Sequence, residues 1–283
     1  PPPPTPPPSP PPPPPPSQPP SPQPPSPPSL PPSLPDPEPL PPIPTARAHY
    51  SAHSWVNETT WLDTSGNGQH VHMDIVSGSN GEGSSSFESE DYFPYVNGSI
   101  NSRWIFGGPL LCDENEVGCN FTIVQITRYD PGALEATKKV LIRGLQPGFT
   151  HPNTNRVHFF GHWNGRTGVT YYREGPGWTT GNSAPIVSLD VNDGAKGWLY
   201  EIDTPEMTYA IDEDNRWATA TATQYPDRRI SAFRPAINQP GWGGSSDWNI
   251  AELIIYDRVL SEGEINQMKT WLETYRSGNF LHP

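Results

Sequence analysis

Residues 247–275 read DWNIAELIIYDRVLSEGEINQMKTWLETY, and two structural periods follow one another within them. WNIAELIIYDR (248–258) is dense in aliphatic, β-branched and aromatic residues and reads as a strand. After it comes the one convincing helix of the chain. Ser261 caps it, Glu264 completes an S-x-x-E capping box, and Ser277 with Gly278 ends it. Ile265, Met268, Trp271 (or Leu272) and Tyr275 fall on one stripe, which at this spacing packs on a sheet as core rather than holding a cofactor.

Working back from that strand, Gly, Asn, Asp and Ser clusters recur at short intervals, with β-branched or alternating runs between them. The expected strands are SWVN (54–57), QHVHMDIV (69–76), FTIVQITRY (121–129), KKVLIR (138–143), RVHFFG (156–161) and GVTYYRE (168–174). APIVSLD (184–190), KGWLYEI (196–202), MTYAI (207–211) and RWATATATQ (216–224) complete the set. In FTIVQITRY, Phe121, Ile123, Gln125, Thr127 and Tyr129 share one face, while Thr122, Val124, Ile126 and Arg128 share the other. RWATATATQ puts Ala218, Ala220 and Ala222 on one side, for close packing, and Thr219, Thr221 and Thr223 on the other. Many short strands and one terminal helix predict an all-β sandwich or barrel.

The opposite end of the chain is built differently. Of 41 prolines, 29 lie in residues 1–44. Each ring fixes φ, removes an amide donor and pushes its predecessor out of the helical region, so the tract reads as a polyproline II rod. At about 3.1 Å per residue it would span roughly 135 Å. The expected organisation is a rod over 1–44 and one folded domain over 45–283.

The net charge of −13, with only Asp36 and Glu38 acidic in the tract, argues against nucleic acid and anionic membrane surfaces as partners. No run approaches 18 apolar residues, so no membrane insertion is expected. Cys112 and Cys119 enclose DENEVG and read either as a small disulfide, worth about 2.5 kcal/mol by loop entropy, or as two free thiols. Two cysteines cannot form a four-thiolate zinc site. Three N-x-S/T triplets, at Asn57, Asn97 and Asn120, join them in predicting a secreted, extracellular, N-glycosylated chain. The given residues start directly in proline with no charged n-region or apolar h-region, so any secretion signal is expected to have been removed or to lie outside them.

Two segments together resemble a known family. WLDTSGNGQHVH (61–72) and 247–275 are similar to the concanavalin A-like, laminin-G-type jelly-roll domains, through Trp61, Asp63, Ser65, Gly66, Asn67 and Gly68, then Glu252, Tyr256, Asp257, Arg258, Leu260, Ser261 and Glu264. The resemblance implies two antiparallel sheets face to face, often binding sugar or protein and often without catalysis. It admits calcium, for which no ligand set is matched here, and no other cofactor or metal is expected. Physical chemistry gives the 61–72 motif an architectural role: Asp63 and Ser65 bond nearby amides, while Gly66 and Gly68 supply positive φ. The tract resembles the hydroxyproline-rich, extensin-like glycoproteins of plant and green-algal matrix and cell wall. That likeness implies hydroxylation and O-glycosylation at Ser9, Pro10, Pro11, Pro12, Pro13, Pro14, Pro15 and Pro16, and at Ser21 and Ser26. A P-x-x-P ligand for SH3 or WW modules is the competing reading, but those partners are cytosolic.

EIDTPE places Glu201, Asp203 and Glu206 in the E-x-D-x-x-E form of laminarinase-type endoglucanases, where the two glutamates serve as nucleophile and general acid. Pro205 interrupts the strand, so a solvated strand edge is preferred over catalysis. His70 with His72, and His158 with His162, lack a third ligand by spacing and read as structural or surface histidines. No nucleophile elbow, phosphate loop or dinucleotide fingerprint occurs. Ten tryptophans are many for this length, and Trp163, Trp178 and Trp242 sit in glycine-rich turns where the indole meets sugar, proline or a neighbour, or folds back over the core. The sequence therefore predicts a structural, non-enzymatic subunit of an extracellular glycoprotein fibre or matrix, with covalent glycans and a self-associating domain. A lectin-like carbohydrate-binding module is the first alternative, and an endoglucanase using EIDTPE the second.

Overall fold

In a computed structural model of the chain, the described residues are 38–57, 60–73, 85–90, 93–98, 104–106, 120–129, 148–150, 157–163, 166–173, 198–211, 216–221, 234–237, 247–278 and 280–281. The chain divides after Asp36, and every described residue belongs to the unit Pro37–Pro283. Ser9, Pro10 to Pro16, Ser21, Ser26, Cys112, Cys119, Trp178, Trp242 and the strands expected at 138–143 and 184–190 lie outside the described residues.

The strands are, in chain order, β1 (Glu38–Pro39), β2 (Ala48–Ser51), β3 (Trp55–Asn57), β4 (Thr60–Trp61), β5 (Val71–Met73), β6 (Ser85–Glu90), β7 (Phe93–Gly98), β8 (Trp104–Phe106) and β9 (Thr122–Tyr129). There follow β10 (Gly148–Thr150), β11 (Val157–Trp163), β12 (Arg166–Arg173), β13 (Leu199–Asp203), β14 (Met207–Ile211), β15 (Trp217–Thr221), β16 (Arg234–Ile237), β17 (Trp248–Tyr256), the helix α1 (Glu262–Ser277) and β18 (Phe280–Leu281). The fold is all-β with one C-terminal helix. One sheet runs β15-β14-β13-β9-β17-β7-β6, with β2 also paired to β17. The facing sheet runs β12-β11-β10-β16-β8-β5-β4-β3.

β17 is the spine of the first sheet, bonded to β9 along one edge and to β7 and then β2 along the other. A bulge between Ile250 and Glu252 resets its alternation. Without it, Trp248 and Ile250 would face away from Leu253 and Ile255; with it, all four join one buried cluster. That cluster fills the space between the sheets, where Tyr50, Val96, Phe121 and Ile123 meet Trp61 and the half-buried Trp55 of the facing sheet. The bulged residue, Ala251, turns with Ile254 and Tyr256 to the other face, against α1.

The helix forms as its sequence predicts. Ser261 and Glu264 make both bonds of the capping box, and Gly278 closes the helix at φ 68°. Ile265, Met268, Trp271, Leu272 and Tyr275 are all buried on the sheet, so Trp271 and Leu272 share the stripe. Each such side chain is worth about 1.5–3 kcal/mol by burial. The β9 alternation is also as read: Phe121 and Ile123 face the sandwich, Val124 and Ile126 face the helix. Because both faces of this sheet are covered, β13 and β17 are buried at every residue.

Several strands lack a sequence signal. β6 (SSFESE) is polar, and β7 and β16 contain Pro94 and Pro235. Pro94 is tolerated because β7 pairs with β17 only through Val96, Asn97 and Gly98, so its missing amide faces no partner there.

Candidate functional site

The inner face of the helix-backed sheet changes character along its width. Around β17 it is apolar, whereas at β9, β13 and β14 it carries Gln125, Thr127, Glu201, Asp203 and Thr208, all fully buried. Register places them together: Glu201 opposes Gln125 on one side and Ala210 on the other, and Asp203 opposes Thr208. Gln125 Nε2 donates to Glu201 Oε2 at 2.5 Å, and Thr127 Oγ1 donates to Gln125 Oε1 at 3.3 Å. Thr208 Oγ1 donates to Asp203 Oδ1 at 2.5 Å. Donors thus converge on two carboxylates that burial would otherwise penalise heavily. Beside them, Leu199, Ala210 and Ala218 form a small apolar cluster, and the β11–β12 hairpin approaches β9 and β13. Of the alanine side of RWATATATQ, Ala218 is half-buried against this cluster, while the Ala220 side chain and Ala222 lie outside the described residues.

EIDTPE does not form the arrangement that two-carboxylate hydrolysis requires. Glu201 and Asp203 are buried on the inner face, whereas Glu206 is exposed in the turn between β13 and β14. In that turn the Thr204 hydroxyl accepts from Glu206 N and Met207 N and donates to Met207 O. Gln125, Thr127 and Thr208 are site residues that the sequence reading did not single out. Their signal was present in β9, where Gln125 and Thr127 interrupt the face shared by Phe121 and Ile123.

The other predicted positions are dispersed. Trp163, expected in a glycine-rich turn, is instead the last residue of strand β11, its backbone paired with Arg166 at the hairpin tip. Asn57 is exposed on β3, and Asn120 is exposed before β9. Asn97, in β7, is half-buried and holds its amide 3.0 Å from that of Asn249. Thr122, the third residue of the Asn120 triplet, donates to Arg258 O and accepts from Leu260 N, closing the turn into α1. His70 precedes β5, where its Nδ1 accepts from Asp63 N at 3.1 Å, while His72 lies within β5. His158 and His162 are both in β11, separated by a bulge after Gly161. Among the described residues no group of three His, Cys, Asp or Glu side chains could hold a metal ion, and no helix is long and apolar enough to cross a membrane.

The 61–72 motif is architectural. Asp63 Oδ1 accepts from His49 N and Ser65 N, and Oδ2 from Gln69 N and the Ser65 hydroxyl, all within 2.8–2.9 Å. Burial would raise the Asp63 pKa, but these donors outweigh it and hold the carboxyl below its ordinary value. Gly66 and Gly68 take φ of 86° and 68°. Glu252 is likewise structural: it accepts from Ser51 Oγ at 2.9 Å and meets His49 Nε2 at 2.8 Å. Burial, with the Glu252 charge adding to it, pushes the Tyr275 hydroxyl well up and keeps it protonated.

An aromatic shelf lies on the helix side. Tyr209 and Trp217 are half-buried, with the Lys269 ammonium 4.4 and 5.2 Å from their ring centres. Trp217 Nε1 donates to Glu273 Oε1 at 2.7 Å. Burial lowers the Lys269 pKa.

No protein-family model and no curated protein matches the chain. Among solved structures, domain 4 of AbnA, a GH43 extracellular arabinanase from Geobacillus stearothermophilus in complex with arabinotriose, matches at 13% identity and TM-score 0.52, over 80% of this chain and 98% of that one. Trypanosoma rangeli sialidase in complex with sialic acid matches at 14% identity and TM-score 0.45, over 81% of this chain and 33% of that one. The binding domain of Paraclostridial Mosquitocidal Protein 1 matches at 11% identity and TM-score 0.45, over 82% and 52%. What the first of these likenesses shows is the fold: a β-sandwich similar, over 80% of the chain, to domain 4 of that arabinanase.

Proposed function

We propose that the folded domain is a non-catalytic carbohydrate-binding module of the concanavalin A-like, jelly-roll type. The observation that carries this reading is the likeness, over 80% of the chain, to a domain in complex with arabinotriose. The stacking surfaces proposed for the sugar are Trp163, at the tip of the β11–β12 hairpin, with Trp178 and Trp242 in their glycine-rich stretches. An indole offers a broad apolar face at low entropic cost together with one donor for a hydroxyl. No catalysis is assigned, since Glu201 and Glu206 do not share a cleft.

Screening on a glycan array that includes arabino-, xylo- and gluco-oligosaccharides tests the reading, followed by titration of the best ligand. Binding is expected, and Ala at Trp163, Trp178 or Trp242 is expected to weaken it at least tenfold without lowering Tm. An array with no binding, or three tryptophan variants with unchanged affinity, overturns it.

A second reading is favoured by the end of the proline-rich stretch: Leu40 and Ile43 pack on the helix-side cluster, so these residues belong to the folded unit. On this reading the protein is a self-associating structural subunit of a secreted glycoprotein fibre or matrix. It carries glycans on the tract and at Asn57, Asn97 and Asn120, and a Cys112–Cys119 disulfide. Glycopeptide mass spectrometry with imaging of native material tests it; unmodified prolines on a monomeric protein would remove it.

A further inference from the structure

The last proline-rich residues before the domain occupy a seat built by the helix and the chain's C-terminal strand. Leu40 and Ile43 are half-buried against the apolar cluster that α1 shares with β9 and β17. Between them, the Pro42 carbonyl accepts a hydrogen bond from Gln267 Nε2 of α1 at 2.5 Å. Upstream, β1 pairs in parallel with β18, Glu38 opposite Phe280 and Pro39 opposite Leu281. Downstream, Arg47 N donates to Ile255 O at 2.8 Å and leads the chain into β2.

This is how a proline-rich segment is recognised. Its rings offer no amide donors, so a partner must address the carbonyls, and fixed φ holds the intervening apolar side chains at a set spacing. The seat supplies both parts: an amide donor for one carbonyl, and an apolar wall for residues three apart. The Leu-Pro-Pro step occurs in Leu30-Pro31-Pro32-Ser33-Leu34 and in Leu40-Pro41-Pro42-Ile43-Pro44, and of these the second carries the apolar residue three after its leucine.

We propose that this seat is a binding site for Leu-Pro-Pro-x segments that exchanges between copies, so that residues 40–44 of a second copy of this chain enter it in place of the chain's own. Among the described residues the contacts that hold the segment are a two-residue ladder, one side-chain hydrogen bond and two half-buried apolar side chains, a small set of the kind found where a fold opens readily. Exchange remakes each contact identically, leaving only the entropy of association to be met by local concentration. The inference is independent of sugar binding. For the fibre reading it names a surface of self-association.

The test uses the full chain with Leu40→Asp and Ile43→Asp, which empties its own seat, titrated with a peptide of residues 36–46, DPEPLPPIPTA. Binding is expected, at least tenfold tighter than to the unaltered chain, whose own segment competes. Adding Gln267→Ala should weaken it at least fivefold. A folded variant that ignores the peptide, or binding indifferent to Gln267→Ala, overturns the proposal. Should the double Asp variant lose its near-UV circular dichroism, the unaltered chain decides by sedimentation. A dimer that grows with concentration and dissolves in excess peptide supports exchange, whereas no dimer, or one indifferent to the peptide, defeats it. Filaments persisting in native material after such a failure would place self-association on another surface, leaving the fibre reading itself standing.

Discussion

The two faces of the helix-backed sheet solve burial in opposite ways. Toward α1, Val124, Ile126, Ile254 and Tyr256 meet a stripe of five buried helix side chains; the guanidinium of Arg128 lies over the rings of Tyr95 and Trp198 at 4.9 and 4.5 Å, and that of Arg276 over Tyr200 at 5.6 Å. Toward the facing sheet, the apolar cluster around β17 gives way to the buried carboxylates of Glu201 and Asp203 with their amide and hydroxyl donors. Packing on the helix side is mostly a matter of volume and shape, with Glu252 as a buried carboxylate held by Ser51 and His49, whereas the polar half of the inner face needs each donor in place. The difference teaches where change is costly through lost contact and where through lost partnership.

Three outcomes would break or sharpen this contrast. The largest is expected from Trp271→Ala, which opens a cavity under the helix. It should cost about 3–5 kcal/mol in urea unfolding, and a loss under 1 kcal/mol would mean that the helix is not a principal clamp on this face. Next, Gln125→Leu keeps apolar volume but strips a donor from Glu201, and should cost about 1–3 kcal/mol. Glu201→Gln in the same background should recover part of that loss, and equal stability of Gln125→Leu and the parent would deny the polar face its dependence on pairing.

The smallest effect lies at the helix start. Ser261→Ala removes the cap and should cost about 1 kcal/mol. Hydrogen bonds from the Arg258 side chain, then from Ser261, hold the Glu264 pKa down from 4.5 to about 2. Because the folded value lies below the unfolded one, its contribution is complete above about pH 4.5 and is lost as pH falls toward 2. Asp63, also lowered, adds to the same acid loss. Acid titration of unfolding should therefore show stability falling in that window, less steeply for Glu264→Gln; an unchanged slope would show that the cap carboxylate is not coupled to folding.

Much of this was legible in the residues. The capping box, the Ile265–Tyr275 stripe, the β9 alternation and the left-handed glycines of the Asp63 turn are all local, so neighbouring residues suffice to specify them. MTYAI folds as β14 at the predicted bounds, Met207–Ile211. By contrast, β6, β7 and β16 were missed because their pairing partners, not their own polar or proline-bearing sequences, hold them extended. EIDTPE was legible as a carboxylate motif, but its burial was not. Whether Glu201 faces solvent depends on what lies across from β13.

The sequence by itself determined the all-β class, the terminal helix with its buried stripe, and the contrast between a proline tract and a compact domain. Those follow from side-chain period, capping chemistry and the fixed φ of proline, which act over a few residues. Only the tertiary structure decided that β17 bulges at Ala251 to serve two cores, that Glu201 and Asp203 are sealed against amide and hydroxyl donors, and that Leu40–Pro44 rests on α1. Each of these joins residues distant along the chain, and only packing brings such residues into contact.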